Sequence, residues 1–375
     1  MPATCPRCLL PDGTFGLQVP DGAGPCSHCR YWDRYGGPYR DHAVLRRRLG
    51  ERLRAVRGRG RYDALVGLSG GKDSAYVLHR LTRDHELNVL AVTFDNGFMT
   101  DFARDNIARV VDALGVDHIF ERPDWATHRA FYDGAFRKLG DPCVACAMAG
   151  YFLAIKLCSE RGIPLFVHGR SPFQMFRNFH DRSGDVLLSM LTLAAEPPCE
   201  ERLLELHRAL DRQIGAWLGH LLDDPAHRAA VRAAFFPEIA RLEAGVVPES
   251  LPFFLYHPYD EEQVRRTIAR ELGYERAKND APLSHADCLI HDASAWLYAE
   301  LHGISMIAPE VAVMLRWGEL SRGEALELLA RGGPAPAELA ASIEVFCARV
   351  GVPVAELHRT LESLRRAGVA KFASH

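Results

Sequence analysis

Tyr62-Asp-Ala-Leu-Val-Gly-Leu-Ser-Gly-Gly-Lys-Asp-Ser74 decides the fold. Residues 62–68 are a short apolar run, the pattern of a strand buried on both faces, and the stretch from Ser74 to Asp84 reads as a helix. Between them lies Ser69-Gly70-Gly71-Lys72-Asp73-Ser74. A turn that leaves a strand and opens a helix aims backbone N–H groups and the positive helix end at an anion. Paired glycines let the backbone approach that anion closely. Ser69 and Ser74 add hydroxyl donors, Lys72 adds a cation, and Asp73 is a candidate ligand for Mg²⁺ on phosphates. The GxxxxGK[ST] spacing of a Walker loop is absent. The bland alternative is an ordinary glycine-containing turn.

Outward from this stretch the chain alternates. Strands are predicted over 87–94, 116–121 and 163–169, with helices over 101–115, 125–139 and 144–161. That rhythm predicts an α/β fold, a parallel sheet with helices on both faces, whose ligands sit at the carboxyl ends of the strands. Residues 198–250 break the rhythm as a helical insertion, with helices over 200–222 and 226–245 and no strand between. The expected organisation is a zinc ribbon (1–40), a linker helix (41–61), a catalytic domain (62–197) completed by 251–319, and a helical tail (320–375). Residues 1–40 show no helical period and too little apolar area for a core. The basic helix over 41–57 is read as a solvated face.

The whole chain is 375 residues with 25% charged residues and a net charge of −3. This is an ordinary globular balance that argues against electrostatic coating of nucleic acid. No apolar run is expected to reach the ~18–20 residues of a membrane span. The N-terminal MPATCPRCLLPDG lacks the apolar core of a signal peptide. A cytoplasmic protein without a membrane partner is expected.

Ten cysteines are too sparse for a disulfide scaffold, and their spacing matters more. Cys5-Pro6-Arg7-Cys8 and Cys26-Ser27-His28-Cys29 match the two knuckles of a zinc ribbon, where four thiolates satisfy tetrahedral Zn²⁺ and the ion replaces a missing core. Reduced thiols in an unstructured tail are the alternative. Cys143-Val144-Ala145-Cys146 precedes the helix into the fourth strand, where a helix N-terminus is expected to lower a thiol pKa. Cys288 lies in SHADCLIHD, flanked by His285, Asp287 and His291. Cys143, Cys146 and Cys288 together suit a [4Fe–4S] cluster with one open iron or redox-active sulfur; a second structural zinc site or plain thiols are the other readings. Cys158, Cys199 and Cys347 carry no signal. Arg170, Gln174, Arg177 and Asn178, after the fourth strand, are candidates to select a substrate, or a surface loop.

SGGKDS after a strand resembles the PP-loop ATP pyrophosphatases, the adenine nucleotide alpha hydrolase-like family. The likeness covers roughly residues 62–175. It implies that ATP is cleaved between its α and β phosphates, that AMP passes to a substrate oxygen, and that nitrogen or sulfur then displaces AMP. On that resemblance, residues 69–74 bind pyrophosphate, with Lys72 and Asp73 catalytic. Phe94-Asp95-Asn96-Gly97 borders the adenosine, and Gly169-Arg170 occupies the place of a family Gly-His-Asn segment. The CxxC at Cys143 with a later lone cysteine resembles the iron–sulfur tRNA thiolases. That implies sulfur transfer through Cys143, Cys146 and Cys288 to a tRNA, small-molecule or sugar-like acceptor, with a separate sulfur donor. The N-terminal CxRC…GxCxxC, the stretch DNIARVVDALGVDH (105–118), Asp124-Trp125 and WGELSRGEALELL (317–329) are similar to N-acetyl sugar amidotransferases. These imply nitrogen transfer with a glutaminase partner. A homodimer is compatible with either, and an ATP-sensing scaffold without turnover is the third reading.

Overall fold

The computed structural model describes residues 3–20, 24–177, 198–276, 286–331 and 333–368. Asn178 and His285 lie outside them. Helices α1 (Ser27–Tyr35) and α2 (His42–Val56) lead to β1 (Ala64–Gly67), α3 (Lys72–His79), β2 (Val89–Phe94), α4 (Asp101–Leu114), β3 (Asp117–Glu121), α5 (Trp125–Leu139), α6 (Pro142–Arg161), β4 (Leu165–His168) and α7 (Pro172–Phe176). Helices α8 (Glu200–Leu221), α9 (Pro225–Phe235) and α10 (Ile239–Ala244) precede β5 (Glu249–Pro252) and α11 (Phe253–Tyr256). The chain closes with α12 (Glu261–Leu272), α13 (His291–His302), α14 (Ala308–Trp317), α15 (Arg322–Ala330), α16 (Pro336–Val350) and α17 (Val354–Arg366).

The sheet is five-stranded in the order β3-β2-β1-β4-β5, and every neighbouring pair is parallel. Side chains alternate across a strand with a period of two, and the two cores follow that alternation. Ala64 and Val66 of β1, Val89 and Ala91 of β2, and Leu165 and Val167 of β4 face one core, with α2, α3, α4 and α12. Leu65, Leu90, Val92 and Phe166 face the other, with α5, α6, α8, α9, α16 and α17. The α/β architecture with helices on both faces is therefore as expected. Burying a side chain such as Leu65, which is 0% exposed, is worth about 2 kcal/mol.

Four details differ from the sequence reading. First, a short strand, β5, crosses the expected boundary at residue 250 between the helical insertion and the completing segment, where no strand is predicted. Its four residues, Glu-Ser-Leu-Pro, are too few to show alternation, and its register, Leu165↔Glu249 to His168↔Pro252, comes from pairing with β4. Pro252 is tolerated because the strand is at the sheet edge. Second, residues 1–40 contain a helix, α1. Its Trp32 stacks on Trp317 at 5.3 Å, a tertiary contact with no local signature. Third, the arginine run of α2 is not wholly solvated: Arg52 forms a buried ion pair with Glu249 at 2.7 Å. Fourth, among the described residues one apolar helix is long enough to cross a membrane by length and composition. Pro142–Arg161 has 20 residues and a mean hydropathy of 1.5, with half of that window buried inside the protein. Its Phe152, Leu153, Ile155 and Leu157 pack into the second core, which accounts for the composition.

Candidate active site

The turn after β1 is built by its own small side chains. Ser74 Oγ donates to Gly71 O at 3.0 Å and accepts from Ser69 N at 3.2 Å, while Gly71 N donates to Ser69 Oγ at 3.2 Å. Gly70 has φ +84, and a Cβ there would lie 2.6 Å from the carbonyl oxygen of Ala103 in α4. Only glycine fits both constraints. Gly169, at the end of β4, presses against the backbone of Asp73, where a Cβ would come within 2.9 Å. The turn is thus wedged between α4 and the β4 end.

Lys72 and Asp73 form a pair, Nζ to Oδ2 at 3.2 Å, and Tyr259 O–H donates to Asp73 Oδ1 at 3.1 Å. Burial raises the Asp73 pKa, against the pull of Lys72. Each carboxylate oxygen has one partner and keeps a second lone pair, so these contacts are compatible with an Mg²⁺ ligand role. Tyr274 O–H donates to Gly70 O at 2.9 Å. Sequence reasoning missed both tyrosines, which are nearly 200 residues downstream of the turn and carry no local pattern.

After β2, Asp95 shapes a turn. Its Oδ1 accepts from Gly97 N at 3.0 Å and its Oδ2 pairs with Arg122 at 2.9 Å. Asn96 Oδ1 accepts from Phe98 N at 2.8 Å, and its Nδ2 reaches Cys146 Sγ at 3.4 Å. Asp95 is buried and committed to structure; Phe94 and Asn96 line the cavity.

Cys143, Cys146 and Cys288 all line that cavity, together with the phosphate turn. Cys143 and Cys146 start α6 under an Asp141 cap, with Cys143 N donating to Asp141 Oδ1 at 2.9 Å. Cys288 arrives from the far end of the chain. Its segment is strapped to the turn after β2 by Leu289 N to Phe98 O at 2.8 Å and Thr100 N to Asp287 O at 3.2 Å. The expectation of a lowered thiol pKa at the helix start is overturned. Burial pushes Cys143 well up, and the neighbouring Asp141 charge and Cys288 add to it. Cys146 is also raised by burial, opposed by hydrogen bonds from Asn96 and Tyr132. Desolvation of the thiolate outweighs the helix end here. Among the described residues these three thiols do not meet the spacing for one shared metal ion.

Arg170 and Arg177 stand on another wall of the cavity, with Gln174 between them on α7. Arg170 lies over the Tyr151 ring at 5.8 Å. Its side chain faces the cavity's solvent, yet crowding walls and the charge of Arg177 hold its pKa below the usual value. Arg177 lies 3.6 Å from Glu310. Asp287 and His291 border the same cavity. Cys158 and Cys347 are buried away from it, and Cys199 is exposed.

Cys5, Cys8, Cys26 and Cys29 form a second, separate centre. All four are buried, and their sulfurs lie within 4.8 Å of one another. Cys5–Cys29 and Cys8–Cys26 are 3.9 and 3.7 Å apart. Zn–S bonds of about 2.3 Å in a tetrahedron place sulfurs about 3.8 Å apart, so the donor set fits Zn²⁺.

No protein-family model matches the chain. An uncharacterized protein of Methanocaldococcus jannaschii is 31% identical over 88 residues, 24% of this chain. The chain spans about a third of the length of that curated relative, 31%. Among solved structures, the U34-tRNA thiolase NcsA of Methanococcus maripaludis, with its [4Fe–4S] cluster, aligns over 77% of this chain and 81% of its own at 14% identity and a TM-score of 0.33.

Proposed function

We propose that this chain is an ATP pyrophosphatase that adenylates an acceptor oxygen and then replaces it with sulfur. One observation carries the reading: the strand–turn–helix phosphate site and the thiols of Cys143, Cys146 and Cys288 open into one cavity of about 1220 Å³. Ligand pockets commonly hold ~300–1,000 Å³, so this volume accommodates a nucleotide and a second substrate together.

In this reading Ser69, Gly70, Gly71, Lys72, Asp73 and Ser74 hold the β and γ phosphates with Mg²⁺, neutralising the leaving pyrophosphate. Phe94 and Asn96 border the adenosine, with Asp95 setting their turn, and Gly169 and Arg170 sit beside the α phosphate. The acceptor oxygen forms a bond to the α phosphorus as the bond to pyrophosphate breaks. Sulfur then bonds to the acceptor carbon as AMP leaves. Cys143, Cys146 and Cys288 would carry that sulfur or hold a [4Fe–4S] cluster, which would supply sulfur-binding chemistry there. Three thiols lining one cavity supply the ligand set such a cluster would use. Arg170 and Arg177 suit an acceptor bearing phosphate or carboxylate. The net charge of −3 keeps a small or sugar-like acceptor in the reading beside tRNA. A reducing, cytoplasmic setting and a separate sulfur donor complete the proposal.

The test is product analysis with and without acceptor. AMP and pyrophosphate are expected, and loss of both in Lys72→Ala; ADP and phosphate would overturn the assignment. Anaerobic iron and sulfide analysis, with Cys143→Ala as the comparison, separates sulfur from nitrogen transfer. An amidotransferase would keep its activity without Cys143.

A further inference from the structure

His168 lines the cavity and is only 8% exposed. Among the described residues neither of its ring nitrogens has a hydrogen-bond partner, and Nδ1 is sealed from solvent. Buried polar groups are normally paired, so an orphaned imidazole on a cavity wall points to a partner that arrives with the ligand. The placement of His168 says which ligand atoms are in reach. It ends β4, and the strand order reverses direction between β1 and β4, where a parallel sheet opens a crevice for ligands. The pairing of Leu65 with Phe166 and Val66 with Val167 brings Gly67 beside His168, so no β1 side chain covers the ring. Val167 belongs to one core and Phe166 to the other, and alternation puts His168 on the face of Phe166. That is the face of α6, whose Tyr151 ring lies 5.8 Å from the His168 ring and whose first turn carries Cys143 and Cys146. The next residue, Gly169, meets the backbone of Asp73 in the phosphate turn. His168 therefore stands between the turn and the thiols, the place of the α phosphorus when the turn holds the β and γ phosphates. Burial, reinforced by the charge of Arg170, lowers its pKa to about 3, so the ring is neutral and has one N–H. A sealed N–H without an acceptor is the rarer arrangement, which assigns the proton to Nε2.

We propose that His168 is a catalytic residue whose Nε2–H donates a hydrogen bond to a non-bridging oxygen of the nucleotide's α-phosphoryl group. The inference rests on the adenylation reading and adds the contact at its reacting centre. As the acceptor oxygen bonds to the α phosphorus and pyrophosphate leaves, a fixed neutral donor stabilises the charge on the α-phosphoryl oxygens without giving up its proton.

The test uses the full chain and reads binding, so it needs no acceptor. The probes are AMP, which carries the α-phosphoryl group, adenosine, which lacks it, and Mg²⁺-pyrophosphate, which occupies the turn. Loss of a hydrogen bond to a charged acceptor corresponds to about 10–100-fold in affinity. His168→Phe should weaken AMP binding by that factor and leave adenosine and pyrophosphate binding unchanged. His168→Gln places an amide N–H near the position of Nε2 and should recover part of the loss; His168→Asn, whose amide stops short, should not. In the wild type, ¹⁵N-edited spectra should show the imidazole proton on Nε2, with a resonance that moves on adding AMP and stays in place with pyrophosphate. Unchanged AMP affinity in His168→Phe, equal weakening of adenosine, a proton on Nδ1, or a resonance that AMP does not move would each overturn the proposal. The resonance decides the matter if the variants do not fold. Lys72→Ala tests the underlying phosphate site separately: it should lose pyrophosphate binding and keep the His168 response to AMP. Pyrophosphate binding retained in Lys72→Ala would strike the assignment of the turn, while the AMP comparison still decides the His168 contact.

Discussion

Replacing Gly70 by alanine separates the phosphate turn's role in chemistry from its role in stability. Two costs add at this position. At φ +84, an L-residue pays about 1–2 kcal/mol. The new Cβ would also lie 2.6 Å from Ala103 O, and 2.8 and 2.9 Å from Ala103 Cβ and Cα. An ordinary C···O approach begins near ~3.3 Å, so turn and α4 must part by about 0.7 Å. With ~1 kcal/mol more for that strain, the loss is about 2–3 kcal/mol. Unfolding entropy of ~2.1 cal/mol/K per residue gives ~0.8 kcal/mol/K for a chain of this length, so Tm should fall by only about 3–4 °C. The chemistry should suffer far more, because a displacement approaching 1 Å costs on the order of 100-fold when reacting groups are prealigned. Gly115→Ala is the matched control: φ is +64, but a Cβ there meets nothing within 4 Å. It should lower Tm by about 1–3 °C and leave pyrophosphate release unchanged. Both variants can be followed by thermal denaturation and a pyrophosphate-release assay. Wild-type turnover in Gly70→Ala, or an equal loss in Gly115→Ala, would refute the reasoning.

Two further outcomes follow from buried polar groups. His128 sits among Phe94, Trp125, Tyr132 and Phe235 with its Nε2 unpartnered. Burial lowers its pKa from 6.5 to about 3, partly opposed by Asp95. The unfolded chain therefore gains a proton below pH 6.5 that the folded protein refuses until about 3. Stability is complete above 6.5 and is lost as pH falls through that window, by up to ~1.4 kcal/mol per pH unit. His128→Phe should flatten the slope by one proton in urea titrations from pH 7 to 4; an unchanged slope refutes the assignment. In Tyr259→Phe, Asp73 loses its hydroxyl donor, a contact to a charged acceptor worth about 1.5–3 kcal/mol. Pyrophosphate release should fall about 10-fold and Tm by about 2–4 °C, whereas equal turnover would mean that Tyr259 does not hold Asp73 in place.

The legible parts of this protein are those whose information is local. Continuous apolar runs mark β1, β2 and β4, because a strand buried on both faces needs apolar side chains at every position, whereas β3 is a partly exposed edge strand. Two CxxC pairs mark the set of Cys5, Cys8, Cys26 and Cys29, because one ion constrains four sulfurs at short range. What stays hidden depends on distant packing. β5 exists because β4 offers an edge for four residues that have no pattern of their own. Tyr259 and Tyr274 acquire their contacts only where α12 comes to rest. The thiol environment is misread from sequence for the same reason. A helix start is visible there, but the burial that outweighs it is a property of the assembled cavity. The sequence alone determined the parallel α/β core and the glycine-bearing turn after β1, since both follow from hydrophobic periodicity and glycine stereochemistry. Only the tertiary structure brought Cys288 to the cavity shared by Cys143, Cys146 and that turn, because a contact across about half the chain is set by how helices pack and not by any local preference.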